Sequence, residues 1–193
     1  MRPFTEHADD ILEGTDPWSS PSFSLRNRLA RLGWALCQAT LFRWMPRPLH
    51  APRSALLRLF GARIASSVHV YPRARIWAPW NLSMAVGASI GDEAIIYNMA
   101  PIDIGERAVI SQGAHLCAGT HDYNRADFQL VARPIRIGRL AWICTEAFVG
   151  PGVTVPPGTV PGARAVLMRS PAESWTVYSG NPARRVGSRT MQP

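Results

Sequence analysis

Aliphatic residues recur at every sixth position through the second half of the chain. The blocks read Ile104-Gly105-Glu106-Arg107-Ala108-Val109, then Ile110 to His115, then Leu116 to His121. After an interruption they resume at Ile137, Ile143 and Val149, and the fifth place of each block is Ala, Thr or Val. A period of six is neither helical nor simple strand alternation. It predicts a parallel β-helix, in which three six-residue sides make one triangular coil. The aliphatic residue points inward and stacks on its counterpart about 18 residues later. The small fifth residue sits near a corner, where a larger side chain would crowd the core. Gly, Asn and Asp supply the permissive backbone that corners need.

Earlier blocks open at Ile64, Val70, Ile76 and Leu82, then at Met84, Ile90, Ile96 and Ile102. The frame slips by two at Met84 and again at Ile104, which reads as bulged or extended corners. About fifteen blocks at three per coil give roughly five coils. The interruption, residues 122–134, reads as a loop. Pro161 takes an inward place, and with Pro156 and Pro157 it predicts irregular strands late in the helix. From Leu167 onward the repeat is abandoned; Trp175 to Tyr178 reads as a short strand and Gly180 to Ala183 as a turn.

Ahead of the repeat, Ser24 caps a predicted helix running to about Met45, with Leu25, Leu29, Leu32 and Leu36 on one face. A second helix is expected over Pro52–Phe60, ended by Gly61. The expected organisation is an acidic, loosely ordered tail over 1–23, a helical region over 24–62, the β-helix over 63–170 and a C-terminal extension over 171–193. The class is mainly β.

Charge changes this picture in one respect. All 21 basic residues are arginine, so lysine nucleophile and Schiff-base chemistry is excluded. From Pro17 to Gly91 there are ten arginines, five tryptophans and no Asp or Glu. Such a half suits an anionic membrane surface or a phosphate-bearing partner; no motif supports nucleic acid. Arg26, Arg28 and Arg31 oppose the dipole at their helix start, which calls for an anionic surface or contact with the acidic tail, the helix itself lying on a membrane surface or packing on the domain or a neighbouring subunit. No run of residues is apolar enough to span a membrane, and the acidic N-terminus is unlike a secretory signal. These features predict a cytoplasmic protein, peripheral at the inner membrane face where the basic helix meets lipid. Cys37, Cys117 and Cys144 form no CxxC pair and read as buried packing residues.

His121 is the sharpest candidate for chemistry. It closes a block beside the interruption, and imidazole titrates near neutrality, as a general base requires. Asp122 or Tyr123 could orient it. His115 lies one side away, too far for joint metal ligation within one chain. Trp142 could wall a cleft beside His121 or simply cover a coil edge. Arg169, Arg184 and Arg185 suit phosphate recognition.

Together the hexads, the segment Ile110 to Tyr123, the run Ala147 to Thr154, Gly180-Asn181-Pro182-Ala183 and the stretches Ala39 to Trp44 and Leu57 to Ala62 resemble the hexapeptide-repeat acetyltransferases of colanic acid and related exopolysaccharide biosynthesis. The resemblance covers about residues 25 to 187. It implies a left-handed β-helix and a homotrimer with active sites between subunits. It also implies acetyl-coenzyme A as donor, a hydroxyl of a sugar or lipid-linked oligosaccharide as acceptor, and no metal. His121 matches the family's catalytic base and Asn98 a polar residue near the reacting centre. Trp142 matches an aromatic residue of the coenzyme groove, and Thr145 and Ala163 match positions contacting the pantetheine arm. Arg169 and Arg184 match basic positions near the phosphates. The chain departs from the family run at Val155-Pro156 and at Pro161. Two other readings stand beside this one: a non-catalytic trimeric scaffold at a membrane glycan-assembly complex, and a carbonic anhydrase-like metalloenzyme using His115 and His121.

Overall fold

The computed structural model describes residues 11, 12 and 20–191. Most of the acidic tail, including Glu6, Asp9, Asp10, Glu13 and Asp16, lies outside the described residues. The repeat forms a left-handed parallel β-helix of about six turns. Its first side stacks Arg63–Ile64, Leu82–Met84, Ile102–Ile104, Ile135–Ile137 and Thr154–Val155. The second stacks His69–Val70, Ser89–Ile90, Val109–Ile110 and Trp142–Ile143. The third stacks Arg75–Ile76, Ile95–Tyr97, His115–Cys117, Phe148–Val149 and Val166–Leu167. Hexad aliphatics form the buried columns inside, and the small residues before the strands, such as Ala88, Ala108, Ala114 and Ala147, are wholly enclosed.

The slips are not bulges. Ile64 pairs with Met84 and Met84 with Ile104, a step of twenty residues, whereas Ile137 pairs with Val155 at eighteen. Leu82–Met84 and Ile102–Ile104 are three-residue strands, each with two inward side chains. A 3-10 turn at Pro79–Asn81 leads into the first of them. Corners also depart from expectation. Gly87, Gly113, Gly152 and Gly158 have positive φ, but so do Ser67, Glu93, Arg107, Leu140, Glu146 and Arg164, at 51–58°. Stacking enforces this: Leu140, Glu146 and Arg164 each donate their N–H to a carbonyl of the coil below, at Glu106, Gln112 and Thr145. That bond offsets a left-handed cost of roughly 1–2 kcal/mol.

Glycine matters most where coils touch backbone to backbone. A Cβ on Gly138 would stand 2.5 Å from the Pro157 nitrogen. Neither partner is a flexible side-chain tip, so the coils must part. Gly138→Ala is expected to cost about 1–3 kcal/mol, read as a lowered urea midpoint with unchanged slope; a midpoint equal to the parent's would mean that the coils separate freely there.

Prolines do not disturb the late strands. Pro161 is buried, and its strand, Val160–Pro161, extends the second side by accepting N–H groups from Trp142 and Cys144 at Thr159 and Pro161. The repeat runs one strand further than the hexads suggest, since Leu167 is buried in the third side's column. Thr176–Ser179 then stacks parallel on Val160–Pro161 and returns antiparallel as Arg184–Ser188. This closing layer accounts for the turn beyond the expected five.

The N-terminal helices lie against the first coils. α1, Leu25–Cys37, is capped by the Ser24 hydroxyl, which accepts from the Asn27 N–H. It continues through a π-helical turn, Gln38–Phe42. α2, His50–Leu59, starts two residues before Pro52 and ends before Gly61, whose φ is +90°. α1 faces the coils with Asn27 and Trp34, not with its leucines. Trp34 Nε1 donates to the Ile76 carbonyl at 2.6 Å and Gln38 to that of Ala74 at 2.9 Å. Leu25, Leu29, Leu32 and Leu36 are exposed, so packing on the domain is not their role.

Candidate active site

The predicted loop at 122–134 is a β-hairpin that begins earlier. Gly119–His121 pairs antiparallel with Leu130–Ala132, with His121 opposite Leu130. Ladder bonds therefore hold His121 on a strand rather than on a free loop. Its Nδ1 lies 2.8 Å from the Phe128 carbonyl oxygen, and its ring stacks on the Phe128 ring at 4.4 Å and 11°. A ring nitrogen facing a carbonyl carries the proton, so the neutral ring keeps its lone pair on Nε2. Neither expected partner orients the imidazole. Tyr123 is exposed, and the Asp122 carboxylate accepts from the Asn124 N–H.

The hairpin is braced from the N-terminal side. Ile11 bridges to Phe23, and the Leu12 carbonyl accepts from the Gln129 side chain at 3.4 Å. Phe23, Met99 and Leu130 form a small apolar cluster there. Beside it His121 lines a pocket of about 290 Å³ together with Arg28, Arg31, Met99 and Leu130. Arg31 is held flat, 4.4 Å from the Trp77 ring and 5.1 Å from Phe23, with Nε donating to Asn27. Sequence reasoning noted these arginines only as helix-dipole misfits; that misfit was the available signal. The Phe128 carbonyl had none, because backbone acceptors leave no trace in residue type.

Other candidates separate onto different edges. Thr145 and Ala163 sit on the corner column between the second and third sides. The Thr145 hydroxyl donates to the Gln112 carbonyl at 2.9 Å, and its own carbonyl accepts from Arg164. Trp142 stands half-exposed on the adjoining second side, its Nε1 donating to the Ser111 hydroxyl at 2.8 Å. His121's hairpin leaves the opposite corner, between the third and first sides. One chain therefore does not bring His121 to Thr145 and Ala163; the third side lies between. Arg169 and Arg184 do come together, lining a pocket of about 380 Å³ with Val166, Tyr178 and Pro182.

Asn98 is fully buried. Its side-chain carbonyl accepts from the Ala78 N–H at 3.0 Å and its amide donates to the Ala78 carbonyl. It thereby pins the irregular corner behind the hairpin. Cys117 donates its thiol to the Gly119 carbonyl at 3.2 Å, and burial raises its pKa, which disfavours a thiolate. His115 packs edge-on to Phe148, and its Nε2 is buried without a partner. Burial lowers its pKa and keeps the ring neutral. Among the described residues no three His, Cys, Asp or Glu side chains gather as a metal set, and no helix is long and apolar enough to cross a membrane.

No family model matches the chain. The colanic acid biosynthesis acetyltransferase WcaF of Escherichia coli (strain K12) is 45% identical over 154 residues, which are 79% of this chain and 83% of that protein. In fold, the chain is similar to a galactoside acetyltransferase solved in complex with coenzyme A, with a TM-score of 0.79 at 18% identity, over 88% of this chain and 86% of that one. It is also similar to a maltose O-acetyltransferase from Clostridium difficile 630, with a TM-score of 0.75 at 20% identity, over 87% and 90%. A 45% identity over 79% of this chain means that the chain belongs to the family of the colanic acid biosynthesis acetyltransferase WcaF, on the hexapeptide-repeat acetyltransferase fold.

Proposed function

We propose that this protein transfers an acetyl group from acetyl-coenzyme A to a hydroxyl of a sugar, free or in a lipid-linked oligosaccharide, during polysaccharide biosynthesis in the cytoplasm. The observation that carries the reading is the His121 geometry. With Nδ1 committed to the Phe128 carbonyl, Nε2 is the acceptor, and His121 lines a pocket. In the reaction Nε2 takes the acceptor's hydroxyl proton as that oxygen attacks the thioester carbon. The carbonyl oxygen becomes an oxyanion, the C–S bond breaks, and the imidazolium returns its proton to the departing thiolate. Cys117 takes no part, since burial opposes its ionisation. Asn98 acts as a positioning residue, holding the Ala78 corner.

Coenzyme binding falls to Trp142, Thr145 and Ala163 along the pantetheine arm and to Arg169 and Arg184 at the phosphates. The shared Arg169–Arg184 pocket supports the last pair. Because His121 and the Thr145–Ala163 corner occupy different edges, a site containing both needs a second copy. This favours a homotrimer with sites between subunits. The metalloenzyme reading loses its motive, since His115 is enclosed against Phe148.

Calorimetric titration with acetyl-coenzyme A tests the reading without a known acceptor. One saturable site per chain is expected, weakened about tenfold in Arg184→Ala by loss of a charge-assisted phosphate contact. Absence of saturable binding would leave the scaffold reading in its place.

A further inference from the structure

The N-terminal helix is turned inside out. Leu25, Leu29, Leu32 and Leu36 are 66, 59, 58 and 61% exposed, while Asn27 and Trp34 on the opposite face are buried. At about 100° per residue these leucines fall within one narrow stripe. The π turn at Gln38–Phe42 extends the stripe. It adds one residue to the turn, so everything after it is set back by about one residue's rotation. Phe42 is thereby brought to the buried face, and Trp44, 79% exposed, comes into line with the leucines. An uninterrupted α-helix would have put Trp44 about a quarter-turn away.

Charge identifies what covers this face. Arg26, Arg28 and Arg43 flank the stripe, exposed and without an ion pair to any described residue. Pro17 to Gly91 contains no acidic residue. A second copy of the chain is a poor match for such flanks. Among its described carboxylates, Asp92, Glu93, Asp127, Glu146 and Glu173 are already paired with arginines of their own protomer, Asp103 is attracted by Arg63 and Arg136 and Asp122 accepts from the Asn124 N–H, which leaves Glu106 to meet them. An apolar stripe with a terminal tryptophan and arginines along its edges that pair with no described carboxylate is the pattern of a helix lying in an anionic lipid interface.

We propose that the α1 face from Leu25 to Trp44 docks this protein on an anionic phospholipid bilayer, the leucines and Trp44 entering the acyl boundary and the arginines meeting the headgroups. The docking does not depend on the acetyltransferase reading. It concerns a surface apart from the coenzyme residues, although Arg28 also lines the His121 pocket and is left unchanged in the test.

Flotation of the full chain with two kinds of vesicle tests it: phosphatidylcholine alone, and phosphatidylcholine mixed with phosphatidylglycerol. Binding to the mixed vesicles, reduced by added salt, is expected. Leu29→Ser/Leu36→Ser should lower that binding at least about tenfold, and Arg26→Gln/Arg43→Gln about fivefold per arginine at low salt. Acetyl-coenzyme A titration and light-scattering mass should match the parent in both variants. Equal or absent binding to the two vesicles would overturn the proposal. So would a changed mass in the serine variant, which would assign the stripe to a second copy. Since these side chains are exposed, a parental melting temperature is expected and separates loss of docking from loss of fold.

Discussion

Turnover of the His121→Ala protein is expected to fall about 10²–10⁴-fold, the range that a positioned general base contributes, with acetyl-coenzyme A binding unchanged. His121 has no part in the packed columns, since its hairpin is ejected from the coil at Gly119. The substitution removes an imidazole held by one backbone acceptor and one stacked ring, at Phe128. It takes one donor from the carbonyl of Phe128, a residue that is itself half-buried. The loss should therefore appear in kcat rather than in stability or donor affinity. Assay of acetyl-coenzyme A consumption with an acceptor found by screening measures it. A variant keeping most of its turnover would move the base elsewhere.

A comparable loss, this time of stability, is expected from Arg53→Met. Arg53 is fully buried and, among the described residues, faces no carboxylate at bonding distance. Its guanidinium instead donates to four backbone carbonyls: Val70 at 2.7 Å, Pro46 at 2.8 Å, Met45 at 3.2 Å and Arg47 at 2.5 Å. Three belong to the connection between the π turn and α2; the fourth belongs to the second side of the first coil. One side chain thus ties the helical layer to the β-helix. Methionine fills similar volume but strips the donor from the Met45 and Arg47 carbonyls, while Pro46 keeps the Leu49 N–H and Val70 has His50 Nδ1 at 3.1 Å. At about 1–3 kcal/mol for each group left unsatisfied, partly relieved by water, a loss of about 3–5 kcal/mol is expected. Lysine should rescue only part of it, because an ammonium cannot span the same four oxygens. Denaturation with urea measures both. A methionine variant within 1 kcal/mol of the parent, about the error of such a comparison, would show that the connection is satisfied by solvent.

What could be read from the sequence follows the kind of information each feature carries. Column-forming aliphatics such as Ile90, Ile110 and Ile143 are legible because the inward place of a coil favours them at nearly every step. The twenty-residue coils read from the sequence only as bulged or extended corners, since Leu82 and Met84 look like a frame slip until both are seen pointing inward from one strand. Corner residues such as Leu140 and Arg164 were opaque for another reason: left-handed backbone there is imposed by the coil beneath, not by residue type. His121 was found as a residue but not as an arrangement. The pocket arginines come from a part of the chain that sequence proximity does not connect, and the hairpin ladder and the Phe128 carbonyl are backbone features that residue type does not record. The leucine stripe was visible as a helical face, yet hydrophobic spacing alone could not say that it points away from the core.

Under the proposed use of acetyl-coenzyme A, the arginine-to-carbonyl ties have a chemical consequence. Arg58 holds the Ile64 and Ala65 carbonyls, and Arg189 those of Leu140 and Gly158, as Arg53 holds its four. Lysine in such places would present a nucleophilic amine to acetyl donors, and each acylation would erase a charge. A guanidinium stays protonated throughout the physiological range and has no free lone pair to acylate. With no lysine anywhere in the chain, none of these ties would lose its charge to acetylation.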